Sequence, residues 1–241
     1  MSKCKCRFIS STIGMKVLMA ATGLLLTGFL VTHLAGNFLL LPTIGGPEAF
    51  NEYAYKLTSL GPVLWAAEFG LLALFVTHIF CAIRTKMISS AARGSDYVVR
   101  KTHGESNLSS RFMVHTGGII LVFLIVHLVT FKFGTEHALE PTAAAPATRD
   151  LYRTVVELFA NKLYSAYYIA SMVLLGFHLK HGFQSAFQTL GLNHPRYTPL
   201  IKKTSLALAL IFAIGYSIFP IYFGFINPVD CSSTPCCPGE H

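Results

Sequence analysis

The stretch Lys16–Leu41, KVLMAATGLLLTGFLVTHLAGNFLLL, decides the fold class, because no charged side chain follows Lys16 within it. A helix rises 1.5 Å per residue, so roughly 20 apolar residues cross a hydrocarbon core of about 30 Å. This run is long enough to span a bilayer. Lys3, Lys5 and Arg7 precede it, as basic residues precede a secretory leader, but it is too long for a leader core and has no small-residue cleavage site. It reads as a retained span.

Working outward, four further stretches have the same character: Val63–Ile83, Phe112–Phe131, Leu163–Leu179 running on to Leu190, and Leu206–Phe225. They account for the composition, 53% hydrophobic and 12% charged over 241 residues, with a mean hydropathy of +0.54. A soluble domain carries roughly 25% charged residues, and so few charges would leave more apolar surface than water tolerates. The expected architecture is an all-α integral membrane bundle of five helices within residues 1–230. Residues 231–241 form a tail whose Cys231, Cys236 and Cys237 have no assigned role. Cys4, Cys6 and Cys81 complete a dilute set that implies no disulfide framework. There is no internal repeat and no nucleotide-binding glycine loop.

The formal net charge is +8, which by itself would raise nucleic-acid binding, and its placement removes that reading. On a five-span topology, fourteen Lys and Arg residues fall on the amino-terminal side, in the segment up to Lys16 and in the loops Arg84–Arg111 and Lys180–Lys203. Five fall on the other side: Lys56, Lys132, Arg149, Arg153 and Lys162. The bias places the amino terminus in the cytoplasm and makes this a multi-pass inner-membrane protein. Among the acidic residues, Asp96 and Glu105 alone are inside and eight are outside. Five spans being odd, the two termini face opposite sides. The outer loops read as interfacial caps: Pro42–Pro62, with Phe50, Tyr53 and Tyr55, and the amphipathic stretch Leu151–Phe159. Trp65, Tyr164, Tyr167 and Tyr168 read with them as an aromatic belt at headgroup level.

An ionisable residue inside a span is costly and tends to face the protein interior or a cofactor. Four histidines lie deep in four different spans: His33, His78, His127 and His178. A metalloprotease would set two histidines one turn apart on one helix, and a structural zinc site would add cysteines. His33 and His127 lie 17 and 16 residues beyond the inner basic residues Lys16 and Arg111, roughly 25 Å along a helix. His78 and His178 each lie 15 residues past the outer start of their spans, roughly 22 Å. Depth therefore sorts them into an outer pair, His33 with His127, and an inner pair, His78 with His178, about 15 Å apart along the normal. Two imidazoles facing each other at one level can ligate a haem iron from both sides and leave no open position, which makes an electron-transfer haem. Gly36, Gly117, Gly118 and Gly176 lie near the histidines and would let a macrocycle approach the backbone.

With these residues in place the chain resembles the cytochrome b subunit of succinate dehydrogenase and fumarate reductase, in its single-chain, five-helix, di-haem form. The resemblance rests on the four histidines and on Ser10-Ser-Thr-Ile-Gly-Met-Lys, Val31-Thr-His-Leu-Ala-Gly-Asn, Phe50-Asn-Glu-Tyr-Ala, Leu64-Trp-Ala-Ala-Glu-Phe-Gly-Leu-Leu and Phe177-His-Leu-Lys-His-Gly-Phe-Gln-Ser-Ala-Phe-Gln-Thr-Leu-Gly. It covers nearly the whole chain apart from the cysteine-containing tail. It implies two b haems, His78 and His178 holding the proximal one and His33 and His127 the distal one. It also implies a flavoprotein and an iron–sulfur subunit on the cytoplasmic face, and menaquinone or another quinone as membrane substrate. The chain itself has neither the flavin nor the iron–sulfur motifs needed to oxidise succinate.

Quinone reduction needs protons, and Glu68, about 8 Å into its span, is the expected proton-transfer residue. Asn37 and Glu52, at the outer boundary, are further candidates for an outer quinone pocket. On the inner side Ser11, Arg84, Arg111, His115, Lys180 and His181 are candidate contacts for haem propionates or an inner quinone, since propionates are anionic and seek such donors. Competing readings are the fumarate-reducing direction, the cytochrome b subunit of another quinone-linked dehydrogenase, and a transporter whose histidines relay protons.

Overall fold

The computed structural model describes residues 11–91, 108–135, 137–139 and 148–228. Among them are seven α-helices: α1 (Thr12–Asn37), α2 (Gly46–Ser59), α3 (Pro62–Ala91), α4 (Leu108–His127), α5 (Leu151–Ala160), α6 (Lys162–Thr189) and α7 (Thr198–Ile221). The extended structure among them is one antiparallel bridge of two residues a side, β1 (Ala138–Leu139) with β2 (Thr148–Arg149). The tail 231–241, Cys4, Cys6 and the side chain of Arg111 lie outside the described residues.

Four segments are long and apolar enough to cross a membrane: Thr12–Leu40, Pro62–Ala91, Met113–Lys132 and Thr198–Ile226. The fourth expected span differs. It is a helix of 28 residues, long enough to cross, but Tyr164, Tyr167, Tyr168, His178, Lys180 and His181 dilute its apolar character. Length and composition alone do not mark α6 as a span. The other expected spans prove longer than their apolar runs, most clearly α3, which continues past Ile83 to Ala91.

Local chemistry sets the helix ends. Ser11 caps α1, its Oγ accepting from the Gly14 N–H at 3.0 Å, which satisfies one of the donors a helix start leaves open. α2 has Pro47 in its first turn, Glu48 beside it and Lys56 in its last turn, all matched to helix geometry and dipole. Gly61, with φ of 51°, makes the turn into α3. Pro220 sits inside α7, and the turn that follows widens to the π-helical segment Tyr222–Ile226, as expected where a ring replaces a backbone donor.

Helix faces sort by solvent. On α3, Trp65, Phe69, Leu72, Val76, Phe80, Ile83 and Met87 recur at steps of three and four and are all exposed, the stripe a helix offers to lipid. Leu64, Glu68, Leu71, Phe75, His78 and Thr85 lie on its less exposed face. Three buried hydroxyls in the long helices are satisfied on their own backbone: Thr27 donates to Gly23 O and Ser171 to Tyr167 O, both at 2.8 Å, and Ser217 to Ala213 O at 2.6 Å. With no water in a hydrocarbon core, this internal bonding keeps a polar side chain inexpensive.

The chain packs as two compact units. The first comprises residues up to Leu30, Ala66–Gly118 and Gly176–Ala209; the second comprises Val31–Trp65, Ile119–Leu175 and Leu210 onward. In the first, Gln184 Nε2 donates to the buried Ser205 Oγ at 2.7 Å, tying α6 to α7. In the second, Phe212, Phe219 and Phe223 of the last helix are buried with Leu34 and Leu40, as expected of a packing helix.

The second unit also contains the amphipathic helix foreseen over Leu151–Phe159. α5 buries Thr154, Val155, Val156 and Phe159, and its start is clamped to α2. Asp150 is buried and caps α5, accepting from Arg153 N at 2.9 Å and from Asn51 Nδ2 at 2.8 Å, while Asn51 Oδ1 accepts from Tyr152 N at 3.0 Å. On the outer face of α5, Glu157 receives Arg153 Nε at 2.7 Å and lies 2.8 Å from His137 Nε2. Removing the Asp150 carboxylate deletes a cap and leaves the Asn51 amide without its acceptor, so Asp150→Ala should cost about 2 kcal/mol. Faster proteolysis within α5 in detergent-solubilised protein checks this; a wild-type digestion pattern would refute it.

Candidate functional site

The histidines that depth grouped into pairs are the ones the fold brings together, one pair in each unit. In the second unit the rings of His33 on α1 and His127 on α4 have centroids 5.9 Å apart and planes at 88°. In the first unit His78 lies on α3 and His178 on α6. All four side chains are partly buried.

The outer pair is framed by aromatic rings. Tyr216 of α7 lies 6.0 Å from His33. Phe123 stacks on His127 at 5.8 Å, and Phe131 approaches it at 5.2 Å. His127 Nδ1 is 3.1 Å from Tyr168 Oη; Tyr168 and Tyr164 hydroxyls are 3.2 Å apart; Tyr164 Oη is 2.7 Å from Thr130 Oγ1, which donates to Val126 O at 2.8 Å. Each hydroxyl has one proton. Tyr164 donates to Tyr168, and the Tyr168 oxygen keeps a lone pair that can accept a hydrogen from His127 Nδ1. Thr130 belongs to the π-helical turn Leu128–Lys132 that follows His127, a deviation often found at functional positions.

The inner pair is held in the same sense. His78 Nδ1 is 3.1 Å from the Met19 carbonyl, which can only accept, and His178 Nδ1 is 3.3 Å from Thr116 Oγ1. His181, one turn beyond, lies within electrostatic reach of His178.

These residues fit a bis-histidine haem. A histidine bound to a metal ion through one nitrogen commonly donates its other N–H to a carbonyl or hydroxyl, which fixes its tautomer, and His78, His127 and His178 have such a group beside Nδ1. Two imidazoles sharing one ion at about 2.0–2.1 Å each place their ring centroids on the order of 6 Å apart, and the outer pair has that spacing.

The other expected site residues are dispersed. Glu68 is partly buried on the less exposed face of α3, the face that bears His78. Asn37 is partly buried at the end of α1. Glu52 is exposed and paired with Lys56 at 2.6 Å; the hydrogen bond and charge of Lys56 hold its carboxyl below the usual carboxylate range. That engagement makes it a poor proton donor. Arg84, His115 and Lys180 are exposed and His181 is partly buried. Ser11 has a local role as the cap of α1.

Two expectations are corrected. Tyr168 is not a headgroup anchor: it is 5% exposed and bonded to His127. Gly36 does not open space beside His33. A Cβ there would lie 2.5–2.8 Å from Tyr53 ring atoms, so the glycine admits Tyr53 of α2. Gly117 does lie against a histidine, His178, and nothing approaches Gly118 within 4 Å. Sequence reasoning missed Tyr168 because an aromatic residue near a span end usually reads as an anchor. The pattern that would have placed it is the stripe Tyr164, Tyr168, Ser171, Leu175, His178, at steps of four and three on one face of α6.

No protein-family model, curated protein or solved structure matches the chain.

Proposed function

We propose that the chain is the membrane-anchor and electron-transfer subunit of a succinate:quinone oxidoreductase of the inner membrane. In this reading it crosses the bilayer five times from a cytoplasmic amino terminus. His33 with His127, and His78 with His178, each hold one b haem, and a flavoprotein and an iron–sulfur subunit dock on the cytoplasmic face. The observation that carries the reading is the facing pair His33–His127, 5.9 Å apart with its rings perpendicular, together with a second pair in the other unit. A haem ligated on both faces by histidine exchanges single electrons and has no open position for oxygen.

The chain's own residues have three tasks in this role. The histidines supply Nε2 while Tyr168, Thr116 and the Met19 carbonyl hold Nδ1. The aromatic frame of Phe123, Phe131 and Tyr216 keeps water from the outer pair. Glu68 supplies or takes a proton for quinone within the membrane, where such a carboxylate is costly unless it has a task.

A reduced-minus-oxidised spectrum of the purified chain tests the reading. Two low-spin b-type components are expected. A chain with no Soret absorption would overturn it in favour of proton-relay transport.

A further inference from the structure

We propose that Thr22–Gly23 on α1 and Thr116–Gly117 on α4 form a repeated seat that fixes the tautomer and ring orientation of His78 and His178, so that each presents Nε2 for ligation. The inference rests on the haem reading above and names the positioning residues of one of its two pairs.

Each histidine leaves its own helix and meets the same dipeptide on another. His78 of α3 lies on α1, with Nδ1 3.3 Å from Thr22 Oγ1. His178 of α6 lies on α4, with Nδ1 3.3 Å from Thr116 Oγ1. The glycine that follows each threonine receives the adjoining edge of the ring. A Cβ at Gly23 would come 3.1 Å from His78 Cε1 and 3.5 Å from its Nδ1; one at Gly117 would come 3.4 Å and 3.9 Å from the same atoms of His178. The same two residue types, in the same order, meet the same two ring atoms on helices that share no sequence repeat.

The hydroxyl chemistry gives the seat its direction. Thr22 donates its proton to the Leu18 carbonyl at 2.8 Å, with Met19 O at 3.1 Å as a second acceptor, and Thr116 donates to Met113 O at 3.1 Å. A threonine whose proton is bonded to its own helix offers the imidazole a lone pair. Nδ1 must then carry the hydrogen, and Nε2 is left as the basic atom. At His78 the Met19 carbonyl enforces the same choice at 3.1 Å, so Thr22 is reinforced there. At His178 the hydroxyl of Thr116 is the acceptor. The glycines add a second contact: each leaves room on its helix for the Cε1–Nδ1 edge of the ring, more tightly at Gly23 than at Gly117.

A third Thr–Gly pair, Thr27–Gly28 on α1, provides an internal control. Thr27 donates to the Gly23 carbonyl, and nothing lies within 4 Å of a Cβ placed on Gly28. The dipeptide alone does not make a seat; the arriving histidine does.

The test uses the full chain in nanodiscs with its haems, read by redox titration and low-spin electron paramagnetic resonance. Thr116→Val keeps the shape and removes the acceptor. An imidazole that loses its hydrogen-bond acceptor donates less electron density to iron, so one haem should rise in midpoint potential and shift its resonance while the other stays unchanged. Thr116→Ser should restore both values. Gly23→Ala should shift the resonance of that same haem more than Gly117→Ala, in the order of their contact distances, and Gly28→Ala should leave both haems as in wild type. Unchanged signals in Thr116→Val, equal shifts in both haems, or a Thr116→Ser variant that departs as far as the valine variant would each overturn the seat. A wild-type chain without b haem overturns the underlying reading instead. The seat is then decided by nitrogen resonances of histidine-labelled protein: an Nδ1–H tautomer at His178 in wild type and Thr116→Ser, lost in Thr116→Val, supports it, and the same tautomer in all three refutes it.

Discussion

If the chain holds two b haems as proposed, replacing His127 with alanine is expected to halve the haem content of the purified chain, from two to one, with helicity retained. His127 contributes one of the two imidazoles of the outer pair, and its Nδ1 lies 3.1 Å from Tyr168 Oη, so the substitution deletes the proposed ligand and takes from Tyr168 its partner on α4. His33 alone then faces the site, and a haem held on one side by a single exposed bond dissociates readily or turns high-spin. The inner pair draws its ligands and partners from α1, α3, α4 and α6 within its own compact unit, and none of these contacts includes residue 127. Pyridine haemochrome stoichiometry with low-temperature spectra of the α-band checks the outcome. The companion variant Tyr168→Phe, which keeps the ligand and removes its partner, should keep both haems and shift one of them. Loss of both haems from His127→Ala at unchanged circular dichroism, or loss of neither, would contradict the pairing.

In the proposed quinone-linked complex, Glu68→Gln is expected to reduce quinone turnover by at least about 100-fold, the scale on which a positioned proton donor contributes, with both proposed haem spectra preserved. Glutamine keeps the size and hydrogen-bonding reach of glutamate and cannot exchange a proton. Glu68 is partly buried on α3, beside the exposed stripe that begins at Trp65 and Phe69. Electron delivery to an artificial acceptor at the soluble subunits should be untouched. Wild-type quinone turnover in Glu68→Gln would remove Glu68 from the mechanism.

The first level of organisation was readable because it depends on composition and length. Apolar runs marked the long helices, and counting residues from the basic ends matched His33 with His127 and His78 with His178 before any packing was known. α6 was harder in one respect: its tyrosines and histidines make it a good interior helix and a poor apolar one, so a criterion based on hydropathy alone does not mark it. What surrounds the histidines was less legible. Gly36 looked like room for a cofactor and proved to be room for Tyr53, because the identity of whatever fills a glycine's gap is set by a segment elsewhere in the chain. Thr22 and Thr116 gave no sign of their role, since a membrane helix commonly turns threonine back onto its own carbonyls. Only the rotation of α1 against α3, and of α4 against α6, shows which threonines also meet a ring.

The bond between Asn51 and Asp150 joins residues 99 positions apart, and that separation bears on how the protein is made. α3 and α4 both lie between the two partners, so the bond cannot form until each of those helices has been synthesised and inserted and the chain has returned to the side where α2 waits. Short-range elements such as α2 with its own Glu52–Lys56 pair are complete long before. The α2–α5 clamp therefore closes after α3 and α4 are made and needs neither α6 nor α7, which follow Asp150 in the chain. A chain stalled with α4 outside the bilayer would leave the Asn51 amide and the Asp150 carboxylate exposed together, the kind of polar, unpaired surface that membrane quality-control proteases can distinguish from a completed fold.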